Sequence, residues 1–263
     1  MFTNRGIYRS HLNIFLQMDD IKSYLDFLVE KYNAPSFIDD DPVQFPRRYD
    51  DRRDAEVVAF LIATIAWGRR PMILRDSERL LDMMGKSPFD FVMSGGGLKI
   101  DPDKNIHRTF FARDLLYFCN GFKMAYSQYD SLEDVFAFDG ERSVWKGISR
   151  FRTIMAEANN GATSVQVSNP DGSACKRLHL ALRWLVRNDG IVDIGIWKKI
   201  KPSDLMIPLD VHVADTSRRL GLTTRKGNDR KTVEEITAAL RRFDSSDPVK
   251  YDFALFGAGI EKS

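Results

Sequence analysis

Two stretches of this chain hold the residue types that could do chemistry. In NPDGSACKRLHLALRWLVR (169–187), a Pro170-Asp171-Gly172 turn runs into a helical pattern with Leu178, Ala181, Leu182 and Leu185 on one face. Lys176 falls in its first turn. A helix entrance offers unpaired amide N–H groups and the positive end of the helix dipole, which suits an anion such as a DNA phosphate. A lysine there opposes the dipole at a cost of about 0.3–1 kcal/mol and asks for a reason, with a solvated surface lysine as the plain alternative. In IPLDVHVADTSRRLGL (207–222), Asp210 follows an apolar approach and opens a second helix through Val211, Val213 and Leu220. Asp is among the best N-caps, worth about 0.5–2 kcal/mol over Ala, so capping alone would explain it. If the fold brings them together, an amine and a carboxylate supply a nucleophile and a charge-balancing partner. If it does not, they are a surface group and a cap.

The elements that must position them are helical. DDIKSYLDFLVEKYN places Ile21, Tyr24, Leu25 and Leu28 on one face, and DAEVVAFLIATIAWG is apolar nearly all round, as a central buried helix would be. Ser87 before Pro88, Ser131 before acidic residues, and Asp247 before Pro248 are helix-start signals. Further helical patterns cover about 71–84, 108–128, 142–158, 173–188, 210–220, 231–243 and 248–257. TSVQV (163–167) is the sole short strand candidate. MSGGGLKIDPDKN (93–105) is expected to be a flexible loop, and ANNGATSVQVSNPDGS (158–173) a turn-rich connector.

A chain of 263 residues with 43% hydrophobic composition can bury a substantial core. No apolar run reaches the roughly 18–20 residues of a membrane span, and the N-terminus has no secretory pattern, so no membrane partner and a cytoplasmic location are expected. Cys119 and Cys175 are too few for a disulfide framework and form no zinc cluster with the four histidines; neither a metal nor a cofactor is expected. The net charge of +2 hides an asymmetry: residues 176–242 carry 15 Lys and Arg against 8 Asp and Glu, a local +7 that leaves −5 elsewhere. A basic half points to a polyanionic partner, with a solvated helical surface as the alternative.

The Gly turn, the first-turn lysine and the later Asp-x-His-Val running into Arg-Leu-Gly-Leu together resemble the helix-hairpin-helix DNA glycosylase superfamily, including the endonuclease III-like enzymes. Gly172-Ser173-Ala174-Cys175-Lys176 matches the Gly-x-Gly-x-Lys of that hairpin, with Ala174 in place of the second glycine. Asp210, His212, Val213, Arg219, Leu220 and Gly221 fall in register with the superfamily's Asp-Thr-His-Val helix. More narrowly, DPVQFP, IAWGRR, CKRLHLALRWLVR, IPLDVHV and DPVKYDFALFG resemble an uncharacterised bacterial family beside these glycosylases. The chain departs from the superfamily in lacking the hairpin's Leu-Pro, in an insertion around NDGIVDIGIWKKIKPSD, in Asp215 where arginine is common, and in having no C-terminal four-cysteine cluster.

The resemblance implies an all-α, two-lobed fold with a cleft between the lobes. Residues 54–190 would form a central lobe ending in the hairpin, and 1–53 with 191–263 a second lobe. It implies a base-excision glycosylase, with Lys176 as the Schiff-base nucleophile and Asp210 as the carboxylate that balances charge developing on the sugar. Damaged double-stranded DNA would be the partner of a monomer. Gly172, Ser173, Ala174, Arg177, Arg69, Arg70, Arg218 and Arg219 would contact its backbone. Trp67, Arg108 and His212 would form a base pocket or wedge, although a core tryptophan, a snorkelling arginine and a structural histidine are the plain alternatives. The terminal DPVKYDFALFGAGI carries no expected chemistry; it is an apolar interface helix closing the cleft near Asp210. A non-catalytic nucleic-acid-binding relative and a helical protein-interaction module are the competing functions.

Overall fold

Side-chain caps divide the chain at several of the positions its sequence announces. Asp51 accepts from the amides of Arg53 and Asp54, Ser87 from Asp90, Asp210 from Val213, Asp229 from Thr232, and Asp247 from Lys250. The computed structural model describes residues 18–137 and 143–260. In order these form α1 (Met18–Tyr32), α2 (Ser36–Asp39), α3 (Arg52–Ile65), α4 (Arg70–Met84), α5 (Pro88–Met93), strands β1 (Asn105–His107) and β2 (Phe110–Phe111), α6 (Ala112–Gln128), α7 (Glu133–Phe136), α8 (Val144–Glu157), α9 (Lys176–Val186), α10 (Val211–Arg219), α11 (Arg230–Arg241) and α12 (Tyr251–Ile260). The fold is mostly helical, and no helix among the described residues is long and apolar enough to cross a membrane.

The apolar helix α3 is the centre. Every side chain from Asp54 to Ile65 is buried. Its one fully buried carboxylate, Glu56, accepts from Tyr126 Oη at 2.9 Å, Leu132 N at 3.0 Å, Trp197 Nε1 at 2.8 Å and Arg52 Nε at 3.1 Å, besides the Ser131 hydroxyl. Five donors offset the cost of burying the charge and fix the chain around it. Phe60 stacks on Phe151 and Phe136, with ring centroids 5.1 and 5.6 Å away, and so joins α3 to α7 and α8. On its other side α3 packs against α9, and α1 packs against α12, which also contacts α10. Tyr251 donates to Asp26 at 2.9 Å across the α1–α12 contact. There Gly257 lets the helices approach closely: a Cβ on it would lie 2.3 Å from the Tyr32 ring. One contiguous cluster of buried apolar side chains runs from Ile21 to Ala258.

Local hydrogen bonding shifts three expected elements. Residues 105–111 form a short antiparallel hairpin, with Arg108 at φ +49°, so the helix expected from 108 starts at Ala112, where Asp114 accepts from the Phe111 amide at 2.9 Å. TSVQV is a turn and no strand, because Ser164 captures the amides of both Gln166 and Val167 and closes the chain on itself. The helix expected from 173 starts at Lys176. Asn169 takes the amides of Asp171 and Ser173, and Cys175 is left-handed at φ +46°. The glycine-rich 93–105 stretch holds a 3-10 turn, Gly96–Lys99, before the hairpin. Residue 142, the expected start of the eighth helix, lies outside the described residues.

His179, one turn into α9, is buried edge-on to Trp145 with centroids 4.6 Å apart, and neither ring nitrogen has a protein partner. Burial, reinforced by the nearby Arg230, pushes its imidazole down to about 3. A base whose folded pKa lies below its unfolded value binds fewer protons when folded, so stability is full above about 6.5 and falls as pH drops toward 3. Between pH 7.5 and pH 5 the wild type should lose about 2 kcal/mol that His179→Leu does not lose, measured by urea melts at both pH values. Equal losses would contradict the assignment.

Candidate active site

The lysine in the first turn of α9 has a structural reason. Lys176 Nζ donates to the carbonyl of Ala66 at 3.2 Å, and Ala66 is the C-cap of α3. The amine therefore sits where the positive end of one helix meets the negative end of another, and the carbonyl end of α3 offsets what the α9 dipole opposes. Asp210 is positioned by the apolar approach to α10. Ile207, Pro208 and Leu209 are buried, and the Ile207 amide donates to Thr237 Oγ1 at 3.1 Å. Asp210 caps α10 through Oδ1, 2.9 Å from the Val213 amide, which leaves its second oxygen without a protein hydrogen bond.

Both side chains line one cleft of about 1030 Å³. Its floor is more highly charged than the sequence suggested. Arg183, two turns further along the same face of α9, bonds Asp252 of α12 and Asp193, the latter at 3.3 Å. Asp252 is pushed up to about 6 by burial, against the pull of Arg183, with Asp210 raising it further and Lys176 lowering it. Its Oδ1 is buried without a partner. Asp41, which caps the 3-10 turn Pro42–Gln44, opens partly onto the cleft but is enclosed by protein on its other sides. Burial raises it, against the Val43 amide and the charges of Arg183, Arg70 and Lys176. Thus Asp41, Asp210 and Asp252 share the cleft with Arg70, Lys176 and Arg183. Among the described residues no group of three or more His, Cys, Asp or Glu is arranged to hold a metal ion.

Trp67 and Gly68 also line the cleft. Trp67 is half-buried; its carbonyl meets His107 Nε2 at 2.9 Å, and His107 Nδ1 lies 2.8 Å from Asp76. The Arg108 guanidinium covers the Trp67 ring, 4.4 Å from its centroid. Gly68, at φ +104°, makes room for it: a Cβ would stand 3.0 Å from Arg108 Nη1. Trp67 thus lines the cleft with its ring covered by Arg108. Across the cleft His212 meets Phe256 edge-on at 6.0 Å, and Arg70 lies over the same ring at 5.8 Å.

The expected backbone-contacting residues divide into two groups. Arg69 is exposed and Arg70 half-exposed, and neither has a carboxylate partner among the described residues. Arg177 is committed inward, to Thr64 O at 3.3 Å, Gln166 Oε1 at 2.8 Å and Val165 O at 3.3 Å. Arg218 organises the 225–228 loop, donating to the carbonyls of Arg225 and Lys226 at 2.8 and 2.9 Å and to the Asn228 side chain at 2.6 Å. Arg219 is exposed and reaches Thr216 Oγ1 at 2.8 Å. The hairpin is tied to α11: Gly172 O accepts from Arg230 N at 3.2 Å and Ser173 bridges Asp229. The Ser173 amide is spent on Asn169 and the Cys175 amide on Ser173 Oγ, while Ala174 is buried. Gly172 alone of the three is exposed.

Sequence reasoning missed Asp41, Arg183 and Asp252. The signal for Asp252 was a lone carboxylate in the apolar YDFALFGAGI, a helix to which no chemistry was assigned; α12 does close the cleft, and it also carries charge into it.

Residues 41–261 match the family described as "Protein of unknown function (DUF2400)", and the chain belongs to that family. No curated protein and no solved structure matches it.

Removing Arg183 would leave Asp193 and Asp252 buried with one fewer counter-charge. Arg183→Met should cost about 3–5 kcal/mol in a urea melt. Asp252→Asn, which leaves Arg183 its bond to Asp193, should cost less than half of that. A loss from Arg183→Met no larger than that from Asp252→Asn would show that the arginine is not the organising charge.

Proposed function

We propose that this DUF2400 protein is a base-excision DNA glycosylase with lyase activity, and that its helices form the two-lobed helix-hairpin-helix arrangement which the sequence resembles. The observation that carries the reading is the convergence of Lys176 and Asp210, from separate helices, on one cleft with a second carboxylate, Asp252, influenced by both. A cleft of about 1030 Å³ has room for an extruded nucleoside. Arg70 in the cleft, Arg69 next to it and Arg108 over Trp67, none of them ion-paired among the described residues, suit phosphates gripped without regard to sequence.

In this reaction Lys176 gives up its bond to Ala66 O and, as a neutral amine, attacks the sugar C1′. The Nζ–C1′ bond forms as the C1′–base bond breaks; the departing base keeps the electron pair and takes up a proton. The free oxygen of Asp210 faces the positive charge that develops on the sugar. The remaining amine proton passes to O4′ as the C1′–O4′ bond breaks and a Schiff base forms at C1′; loss of the C2′ proton then drives β-elimination, which breaks the C3′–O bond and releases the 3′ phosphate.

Borohydride trapping on duplexes containing abasic sites or oxidised bases tests this. The wild type should form a covalent adduct that Lys176→Ala abolishes and that Asp210→Asn slows by about a hundredfold or more. Duplex affinity should fall steeply as salt rises. An undiminished adduct in Lys176→Ala, or no duplex affinity at low salt, would reject the proposal.

A further inference from the structure

Six large apolar side chains are exposed among the described residues, and three of them, Val165, Val211 and Ile260, line the cleft. Val165 is the extreme case at 87% exposure. Single exposed valines are ordinary, but this one is held out by a rooted segment. Gln166 beside it is 4% exposed, with Nε2 donating to Thr109 O at 3.1 Å and Oε1 accepting from Arg177 at 2.8 Å. Arg177 also binds the Val165 carbonyl at 3.3 Å, and Tyr117 Oη donates to Ala162 O at 3.2 Å. Ser164 takes the next two free amides. Withdrawing Val165 from water would break several of these bonds, each worth roughly 0.5–1.5 kcal/mol, to recover one side chain's burial.

The surroundings define what would cover it. Arg70 and Lys176 line the same cleft, Arg69 adjoins Arg70 and Arg108 covers Trp67; none of the four forms an ion pair among the described residues, although Asp41, Asp210 and Asp252 line the cleft too. A partner that meets an apolar tip between unpaired cations presents negative charge outside and flat apolar faces within. Duplex DNA with one nucleotide out of its stack has that chemistry. We propose that Val165 enters the base stack and fills the gap beside a nucleotide held in the cleft, an assignment that rests on the glycosylase reading.

The test uses the full chain and two duplexes of one sequence, one intact and one with a tetrahydrofuran abasic analogue, compared by fluorescence anisotropy. The wild type should prefer the gapped duplex. Val165→Ser should lower that preference about tenfold and leave affinity for the intact duplex within about twofold, whereas Val165→Leu should keep it. A preference unchanged in Val165→Ser, or absent from the wild type, overturns the assignment. Borohydride trapping at a natural abasic site, run in parallel, separates the two claims. An adduct with a Val165-independent preference sinks the insertion alone, and a Val165-dependent preference without any adduct sinks the lyase reading while insertion stands.

Discussion

Two arginines four residues apart, Arg183 in the last turn of α9 and Arg187 at its C-cap, hold four carboxylates contributed by three parts of the chain. Arg187 meets Asp189 and Asp247 at 2.9 Å and Asp193 at 2.5 Å, and Arg183 bonds Asp193 and Asp252. Both guanidinium groups lie over Phe253, at 5.4 and 4.3 Å. Burial alone would lower the Arg187 pKa, yet the surrounding aspartates raise it, so the attraction outweighs the desolvation for this group. Asn33, just beyond α1, donates to Asp189 at 2.7 Å and brings the first helix to the same knot. Segments far apart in sequence are thereby gathered on one helix, and its first residue is Lys176.

That arrangement explains why a lysine stands at a helix N-terminus. α9 crosses the end of α3, so the carbonyl of Ala66 meets the amine. α12, fixed to α9 through Asp252 and to α10 by packing, brings Asp210 to the cleft from the other side. The cleft is the space left where three helix ends meet around an ionic floor. Burial raises the Asp252 carboxyl above the usual carboxylate range, Asp210 adding to the rise and Arg183 and Lys176 opposing it, and one of its oxygens has no hydrogen-bond partner.

Periodicity made α1, α3 and the body of α9 legible, because one apolar face or an all-apolar run leaves a mark within four residues. Caps at Ser87, Asp210 and Asp247 were readable for the same local reason. The hairpin at 105–111 was not, since it depends on Arg108 adopting a left-handed backbone over Trp67, 41 positions away. Lys176 and Asp210 could be singled out by type and context, but nothing local distinguishes Arg177 and Arg218, committed to carbonyls of other segments, from the unpaired Arg69. Asp252 needed the opposite inference: a carboxylate alone in an apolar helix requires a buried partner, and Arg183 lies 69 positions away.

The central claim is that one particular amine stands where a sugar carbon would lie. Proteolysis of the borohydride-reduced adduct with abasic DNA, followed by mass spectrometry of the modified peptide, locates that amine directly. The reduced sugar should be found on Lys176 alone. Its attachment to Lys226, Lys231 or any other lysine would contradict the account.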